Sequence, residues 1–214
     1  TVVRKHRGAG LLAYPEELER FLDVVFEKTP VAVSLKTRLG MESPEEWPAL
    51  LELFNRYPAR RLILHPRSRA EQYGGSPHRE WYDYTLRESK LPVCYNGDLF
   101  TAEALREFER RYPGTESVMC GRGFLYHPGL VNLYNGKTES VEALRRFHQM
   151  LYDGYRAQIG TEAFVLCKMK EVWACLGKGM GLGPKILKAI HKSMRYPAFE
   201  TAVDNAFAEF AARA

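Results

Sequence analysis

Short apolar runs that end in polar, cationic or glycine residues recur four times in the chain, at residues 31–38, 61–67, 92–98 and 117–123. Corresponding positions lie about 30 residues apart, which is the length of a strand, a helix and two loops. Stretches with the helical spacing of apolar residues separate the runs. This alternation predicts parallel strands covered by helices, an α/β fold.

Start and stop signals place the predicted helices. Pro15 with acidic residues behind it starts the first helix, and Ser43 before a proline predicts the N-cap of the second. Further helices are predicted at residues 78–89 and from Thr101 to about residue 110. The strands themselves are predicted at residues 31–36, 61–65, 92–96 and 116–120.

Beyond about residue 140 the strand pattern stops. Helices are predicted at residues 140–158, 161–176, 184–194 and 198–212. The turn signal at Asn135 and Gly136 predicts the domain boundary, with a first domain at 1–135 and a second at 140–214.

Four βα units correspond to half of a barrel, since closure takes eight. We therefore expect the second half of a TIM (β/α)8 barrel followed by a C-terminal all-α helical domain. A half-barrel leaves two sheet edges exposed. Another part of a longer molecule, or a second copy of the chain, is expected to cover them.

Polar residues follow each predicted strand, and the carboxyl ends of barrel strands form the rim where such enzymes act. Lys36 is as consistent with a ligand-facing amine as with a solvated lysine, and His65 alone is typical of a hydrogen-bonded core residue. The Asn96-Gly97-Asp98 segment suits either a ligand or a plain βα turn in which Asp98 caps the next helix. Gly121 and Arg122 favour a phosphate, because glycine lets backbone N–H groups approach it and arginine pairs with it.

Together these residues describe a phosphorylated, planar, electron-accepting ligand. A cation near the pyrimidine end of a flavin favours its reduced form, so flavin mononucleotide (FMN) is the predicted ligand. A sugar phosphate would also fit a phosphate site of this kind.

Charge adds a second prediction. Between residues 168 and 195 the chain has seven basic residues and one acid, Glu171, and this excess favours a polyanionic partner over a plain solvated helix face. The bases are Lys168, Lys170, Lys178, Lys185, Lys188, Lys192 and Arg195.

The remaining composition is that of an ordinary globular protein. No apolar run approaches the roughly 20 residues of a membrane helix, so no membrane association is expected. The four cysteines, Cys94, Cys120, Cys167 and Cys175, form no C-x-x-C pair, so no metal site is predicted. We expect buried, reduced thiols in a cytoplasmic protein.

Several motifs, in order and spacing, resemble the second half of tRNA-dihydrouridine synthases. They are residues 34–40 (Ser-Leu-Lys-Thr-Arg-Leu-Gly), 65–69 (His-Pro-Arg-Ser-Arg), 72–75 (Gln-Tyr-Gly-Gly), 96–98 (Asn-Gly-Asp) and 121–123 (Gly-Arg-Gly). The opening stretch 3–12 is similar to the segment after that family's catalytic cysteine loop, and residues 168–176 resemble its helical domain.

The resemblance implies an FMN-bound barrel, a helical RNA-binding domain, and reduction of the 5,6 double bond of particular tRNA uridines with NADPH as reductant. It implies that Lys36 and His65 contact the flavin ring and that Arg67 helps to position the flipped uridine. The ribityl chain and phosphate are expected at Asn96, Gly97, Asp98, Gly121 and Arg122.

Two departures from the family pattern bear on function. Pro66 stands where the family has glycine. None of the four cysteines has the Gly-Cys-Pro context of the family's general acid, which we expect upstream of Thr1, so the chain is interpreted as part of a longer enzyme and as inactive alone. Alternatives are an FMN-dependent barrel oxidoreductase acting on a small molecule and a non-catalytic RNA-binding protein.

Overall fold

The computed structural model describes residues 6–213, so Val3, Arg4 and Lys5 of the opening motif lie outside it. Three strands are present in the described part: β1 (Ser34–Arg38), β2 (Arg61–His65) and β3 (Val93–Tyr95). The helices are α1 (Pro15–Lys28), α2 (Trp47–Phe54), α3 (Arg79–Glu88), α4 (Ala102–Arg111), α5 (Gly123–Tyr126), α6 (Leu130–Tyr134), α7 (Val141–Gln158), α8 (Glu162–Gly179), α9 (Pro184–Lys192) and α10 (Tyr196–Ala211), with 3-10 turns at Gly8–Ala13 and Pro44–Glu46.

The strands form one parallel sheet in the order β1-β2-β3, which confirms the predicted α/β arrangement. Arg38 of β1 lies opposite His65 of β2, and Leu64 of β2 lies opposite Tyr95 of β3. The prediction of a full fourth strand at 116–120 was wrong, because that segment contributes only one bridge, between Tyr95 and Val118.

The first strand begins later than predicted. Val31 is 69% exposed and lies outside β1, although it belongs to the apolar run. The ladder starts where Ser34 faces Arg61, and it continues through Lys36 to Arg38. Lys36 therefore lies inside the strand and not at its end.

The described residues fall into two compact units. The first contains those up to Asp98 together with Glu109–Cys120, and the second contains Leu99–Phe108 and Gly121 onward. The boundary predicted between residues 135 and 140 stays a prediction.

The first unit buries one face of its sheet. Leu62, Leu64 and Tyr95 are almost inaccessible on this face. Helix α2 adds buried leucines, and the Tyr82 ring meets the Tyr95 ring edge-on at 4.9 Å. Apolar burial on this scale supplies most of the stabilisation of the unit.

Local signals in the sequence explain the helix ends. Ser43 and Glu46 form a reciprocal capping box before α2, as its Ser-Pro-Glu-Glu sequence leads one to expect. The Thr101 hydroxyl accepts a hydrogen bond from the Ala104 N–H at 3.1 Å, so the predicted cap of α4 is confirmed. Ser140 caps α7 in the same way.

Helix α8 forms the centre of the second unit. It contacts α5, α7, α9 and α10, and it buries residues on several sides, Val165, Met169, Trp173 and Leu176 among them. From Gly123 to residue 213 the described chain contains helices without strands. The short helices α5 and α6 were not predicted, because four or five residues carry too little periodicity to be recognised.

The thiol prediction was correct for half of the cysteines. Cys94 and Cys120 are buried, whereas Cys167 is exposed and Cys175 is half-buried, and all four are free. The last two lie on α8 away from its most buried positions. No helix within residues 6–213 combines the length and apolarity needed to cross a membrane.

A buried hydrogen bond joins α2 to α3 and gives a test of the fold. Trp47 Nε1 donates to Thr85 Oγ1 at 2.7 Å, and both side chains are fully buried. Thr85→Val keeps the side-chain volume but leaves the indole N–H without an acceptor. We expect the free energy of unfolding to fall by about 1–3 kcal/mol, measured by urea denaturation. Thr201→Val makes the same chemical change at an exposed site and should cost less than about 0.5 kcal/mol; equal losses would contradict the assignment.

Candidate functional site

The predicted site residues of the first unit share one face of the sheet. Side chains alternate between faces along a strand, and residues paired across a parallel ladder point to the same face. Lys36 is paired with Ile63, and Ile63 with Cys94, so these three share a face, as do the residues two positions further on, Arg38 and His65. The Asn96 N–H donates to the Leu64 carbonyl at 2.8 Å and extends the ladder, which places Asn96 on the same face.

Arg67 is the most constrained side chain of this region. It is 0% exposed, although arginine is rarely buried. Nη1 and Nη2 donate to the two carboxylate oxygens of Asp98, at 2.9 and 2.6 Å. Nε donates to the Gly74 carbonyl at 3.0 Å, Nη2 to the Gly75 carbonyl at 2.5 Å, and Nη1 lies 3.3 Å from His65 Nε2.

All five N–H groups of Arg67 are thus used inside the chain. Asp98 holds the pKa of this guanidinium above its usual value, first through the hydrogen bond and then through its charge, with burial opposing. These contacts favour a positioning role for Arg67 over the predicted contact with a substrate base, which stays a prediction.

His65 is neutral at physiological pH. Its ring is buried, and burial lowers its pKa to about 4, helped by the positive charges of Arg38, Lys36 and Arg67. Asp98 opposes this shift and does not overcome it.

Arg38 organises the loop after β2. Its Nη1 donates to the carbonyl oxygens of Ser68 and Gln72, both at 2.8 Å, and its guanidinium lies over the Tyr73 ring. Gln72 has φ 54°, a left-handed conformation that costs a residue other than glycine some free energy. The hydrogen bond from Arg38 holds its carbonyl in that geometry.

Lys36 differs from the other cations because its side chain is exposed and no ion pair of the described residues includes it. Partial loss of its hydration lowers the pKa of its amine, and the charge of Arg38 lowers it further. The amine is therefore the cation of this face that is available to a ligand.

The residues of the segment after β3 make contacts with other parts of the chain. The Asn96 side-chain amide donates to the Met119 carbonyl at 2.8 Å. A Cβ at Gly97 would overlap the Tyr95 hydroxyl and ring, so packing alone requires glycine there. The Asp98 carboxylate is paired with Arg67.

Gly121 and Arg122 belong to the second unit. A Cβ at Gly121 would meet no atom within 4 Å, so packing does not explain this glycine. The Arg122 guanidinium lies 4.9 Å from the centre of the Phe100 ring, and its carbonyl accepts hydrogen bonds from the first turn of α5.

The predicted polyanion-binding residues lie on α8, α9 and the turn after α9. Lys168 pairs with Glu171 at 3.1 Å, and Arg195 pairs with Glu162 at 3.3 Å. Lys185, Lys188 and Lys192 are exposed on α9, and their spacing places them on one side of that helix. Within the described residues, none of these three forms an ion pair.

Two residues of the site were missing from the predicted set. Arg38 and Tyr73 both stand in the motifs quoted above, yet neither was assigned a role. Arg38 follows Lys36 by two residues, so strand alternation alone could have placed it on the same face. Nothing in the sequence indicated that Tyr73 would lie near Arg38 and His65.

The face as a whole is suited to an electron-rich or anionic group. Three cations surround the neutral His65, and Asp98 is the acid that balances one of them. Such a site binds phosphates and stabilises negative charge on a ring.

Comparison with known proteins gives consistent results. The family model for dihydrouridine synthases (Dus) matches residues 1–194. A probable tRNA-dihydrouridine synthase 1 from Synechocystis is 34% identical over 133 residues, which cover 61% of this chain and 37% of that protein. A tRNA-dihydrouridine(16) synthase from Pseudomonas putida is 32% identical over 61% of this chain and 41% of its own length.

A third relative, tRNA-dihydrouridine synthase B from Vibrio vulnificus, is 28% identical over 74% of this chain and 53% of its own length. The chain thus spans about two fifths to one half of these relatives. Because the family model covers nearly the whole sequence, the chain belongs to the dihydrouridine synthase family.

Proposed function

We propose that this chain is the cofactor-holding and RNA-holding part of a flavin-dependent tRNA-dihydrouridine synthase, which reduces the 5,6 double bond of tRNA uridines. The observation that carries the proposal is the open sheet face on which Lys36, Arg38 and His65 lie together. In architecture, the parallel sheet with its helices corresponds to the second half of a barrel, and α7 to α10 correspond to a helical RNA-binding domain.

The residues of the open face fit FMN. Lys36 and His65 are proposed at the flavin ring, where an amine and a neutral imidazole offer hydrogen bonds, and Asn96 and Gly97 at the ribityl chain. Asp98 contributes to the site indirectly, because its carboxylate holds the Arg67 guanidinium in place. Gly121 and Arg122 remain predicted phosphate contacts. When bound, FMN would supply two-electron transfer between NADPH and the uridine.

The charge of Lys36 has a further consequence at this face. A positive charge beside an electron-accepting ring stabilises the negative charge that the ring gains on reduction.

The exposed lysines of α9 support tRNA as the partner. Phosphate contacts need cations that are not already neutralised, and Lys185, Lys188 and Lys192 meet this requirement. A target uridine must leave its stack to reach a flavin, so the enzyme has to hold the tRNA from outside while one base turns inward.

FMN binding tests the proposed site. Titration of FMN into the purified full chain should quench flavin fluorescence. Lys36→Met should weaken the affinity on the order of tenfold, because about 1.4 kcal/mol of charge interaction is lost. Lys90→Met removes an exposed lysine before β3 and should leave the affinity unchanged. No quenching at all, or equal affinities in the two variants, would contradict the assignment.

Salt dependence of tRNA binding tests the helical part. Replacing Lys185, Lys188 and Lys192 by Gln together should weaken tRNA binding and lower the slope of log affinity against log salt concentration by about one per lost phosphate contact. Flavin affinity should not change.

The matched control replaces Lys28, Lys90 and Lys137 by Gln, which removes the same charge elsewhere. If this control lowers the salt slope as much as the α9 variant does, general charge and not α9 accounts for binding.

A further inference from the structure

The contact between Arg67 and His65 determines where the imidazole proton lies. A guanidinium donates five hydrogen bonds and accepts none. At the 3.3 Å contact between Arg67 Nη1 and His65 Nε2, the arginine is therefore the donor and Nε2 the acceptor. A neutral imidazole has one N–H proton, which must then be on Nδ1.

We propose that Arg67 is a positioning residue that keeps the proton of the neutral His65 on Nδ1, so that His65 offers a ligand on the open face a hydrogen-bond donor. Since Nε2 is occupied by Arg67, Nδ1 is the ring nitrogen left for the ligand. The ligand atom that His65 meets must then be an acceptor, such as a carbonyl oxygen or an unprotonated ring nitrogen.

The surroundings of Arg67 make this arrangement rigid. Asp98 holds both terminal nitrogens, and the carbonyls of Gly74 and Gly75 hold the remaining donors, so the guanidinium cannot turn away from His65. Gly75 has φ +60°, a conformation that glycine adopts without strain, and this turn directs its carbonyl to Arg67.

The charges around the ring favour its neutral form. Lys36 and Arg38 approach from β1 and Arg67 from the loop after β2, and all three oppose a second proton. Asp98 follows β3 and is the carboxylate that would favour one, but it is already paired with Arg67. His65 is therefore a poor proton donor for uridine reduction at neutral pH.

The position of the His65 proton does not depend on the proposed function. The use of that proton in binding the flavin ring does rest on the proposed function. The two are separated by measuring the proton directly, without cofactor or substrate. The probe is two-dimensional 15N–1H NMR of the imidazole nitrogens in the full chain labelled at histidine, between about pH 6 and about pH 8.

His65 should show a protonated Nδ1 and a bare Nε2 throughout that range. Two other histidines serve as internal controls. His148 accepts a hydrogen bond from Trp173 Nε1 at its Nδ1, 3.2 Å away, so it should show the opposite tautomer. His78 lies between the carboxylates of Glu71 and Glu80 and should remain protonated to higher pH.

The role of Arg67 is tested by the double variant Arg67→Met with Asp98→Asn, which avoids leaving the half-buried carboxylate unpaired. Its His65 should populate the Nε2–H form, although burial and the charges of Arg38 and Lys36 still keep its pKa low, while the His148 signals stay unchanged as evidence of folding. A proton on Nε2 in the unaltered chain would overturn the proposal, and so would a double variant that keeps the Nδ1–H form. If the NMR result is as expected and FMN still fails to bind, the proposed function fails and the positioning role stands.

Discussion

The ion pair between the buried Arg67 and the half-buried Asp98 is the interaction on which the open face of the sheet depends. It joins the loop after β2 to the segment after β3, and it directs two glycine carbonyls and one imidazole toward a single guanidinium. Removing Asp98 would leave the guanidinium of Arg67 as an unpaired buried charge, a change that costs about 3–5 kcal/mol in buried ion pairs. The pair therefore fixes the geometry of the site, whatever it adds to net stability.

The same pair explains how several cations coexist in a small region. Arg67 is neutralised by Asp98, Arg38 is bound to backbone carbonyls and the Tyr73 ring, and His65 is uncharged. Lys36 is left as the exposed charge. A site with four basic residues thus presents one available ammonium group and one imidazole donor, which is a more selective surface than its composition suggests.

In the second unit, buried apolar side chains and exposed lysines occupy different positions on the helices. Helix α8 contributes Val165, Met169 and Trp173 among others to the core, and the lysines of α9 are exposed. Lysine contributes to polyanion binding only while it is exposed and unpaired. Lys168 and Arg195 each meet a carboxylate, so sequence counting overstated the charge that is free on this surface.

The sequence by itself determined the element order, most helix ends, the parallel arrangement and the family, since periodicity, capping residues and short motifs are local properties of the chain. It also indicated that Lys36, His65 and Asn96 would converge, because the carboxyl ends of parallel barrel strands meet at one rim. Only the tertiary structure decided that Arg67 would be fully buried and paired with Asp98, 31 residues away, that Gly97 is required by the Tyr95 ring, and that the predicted fourth strand would shrink to one bridge. Such outcomes depend on contacts between segments distant in sequence, and no local pattern contains them.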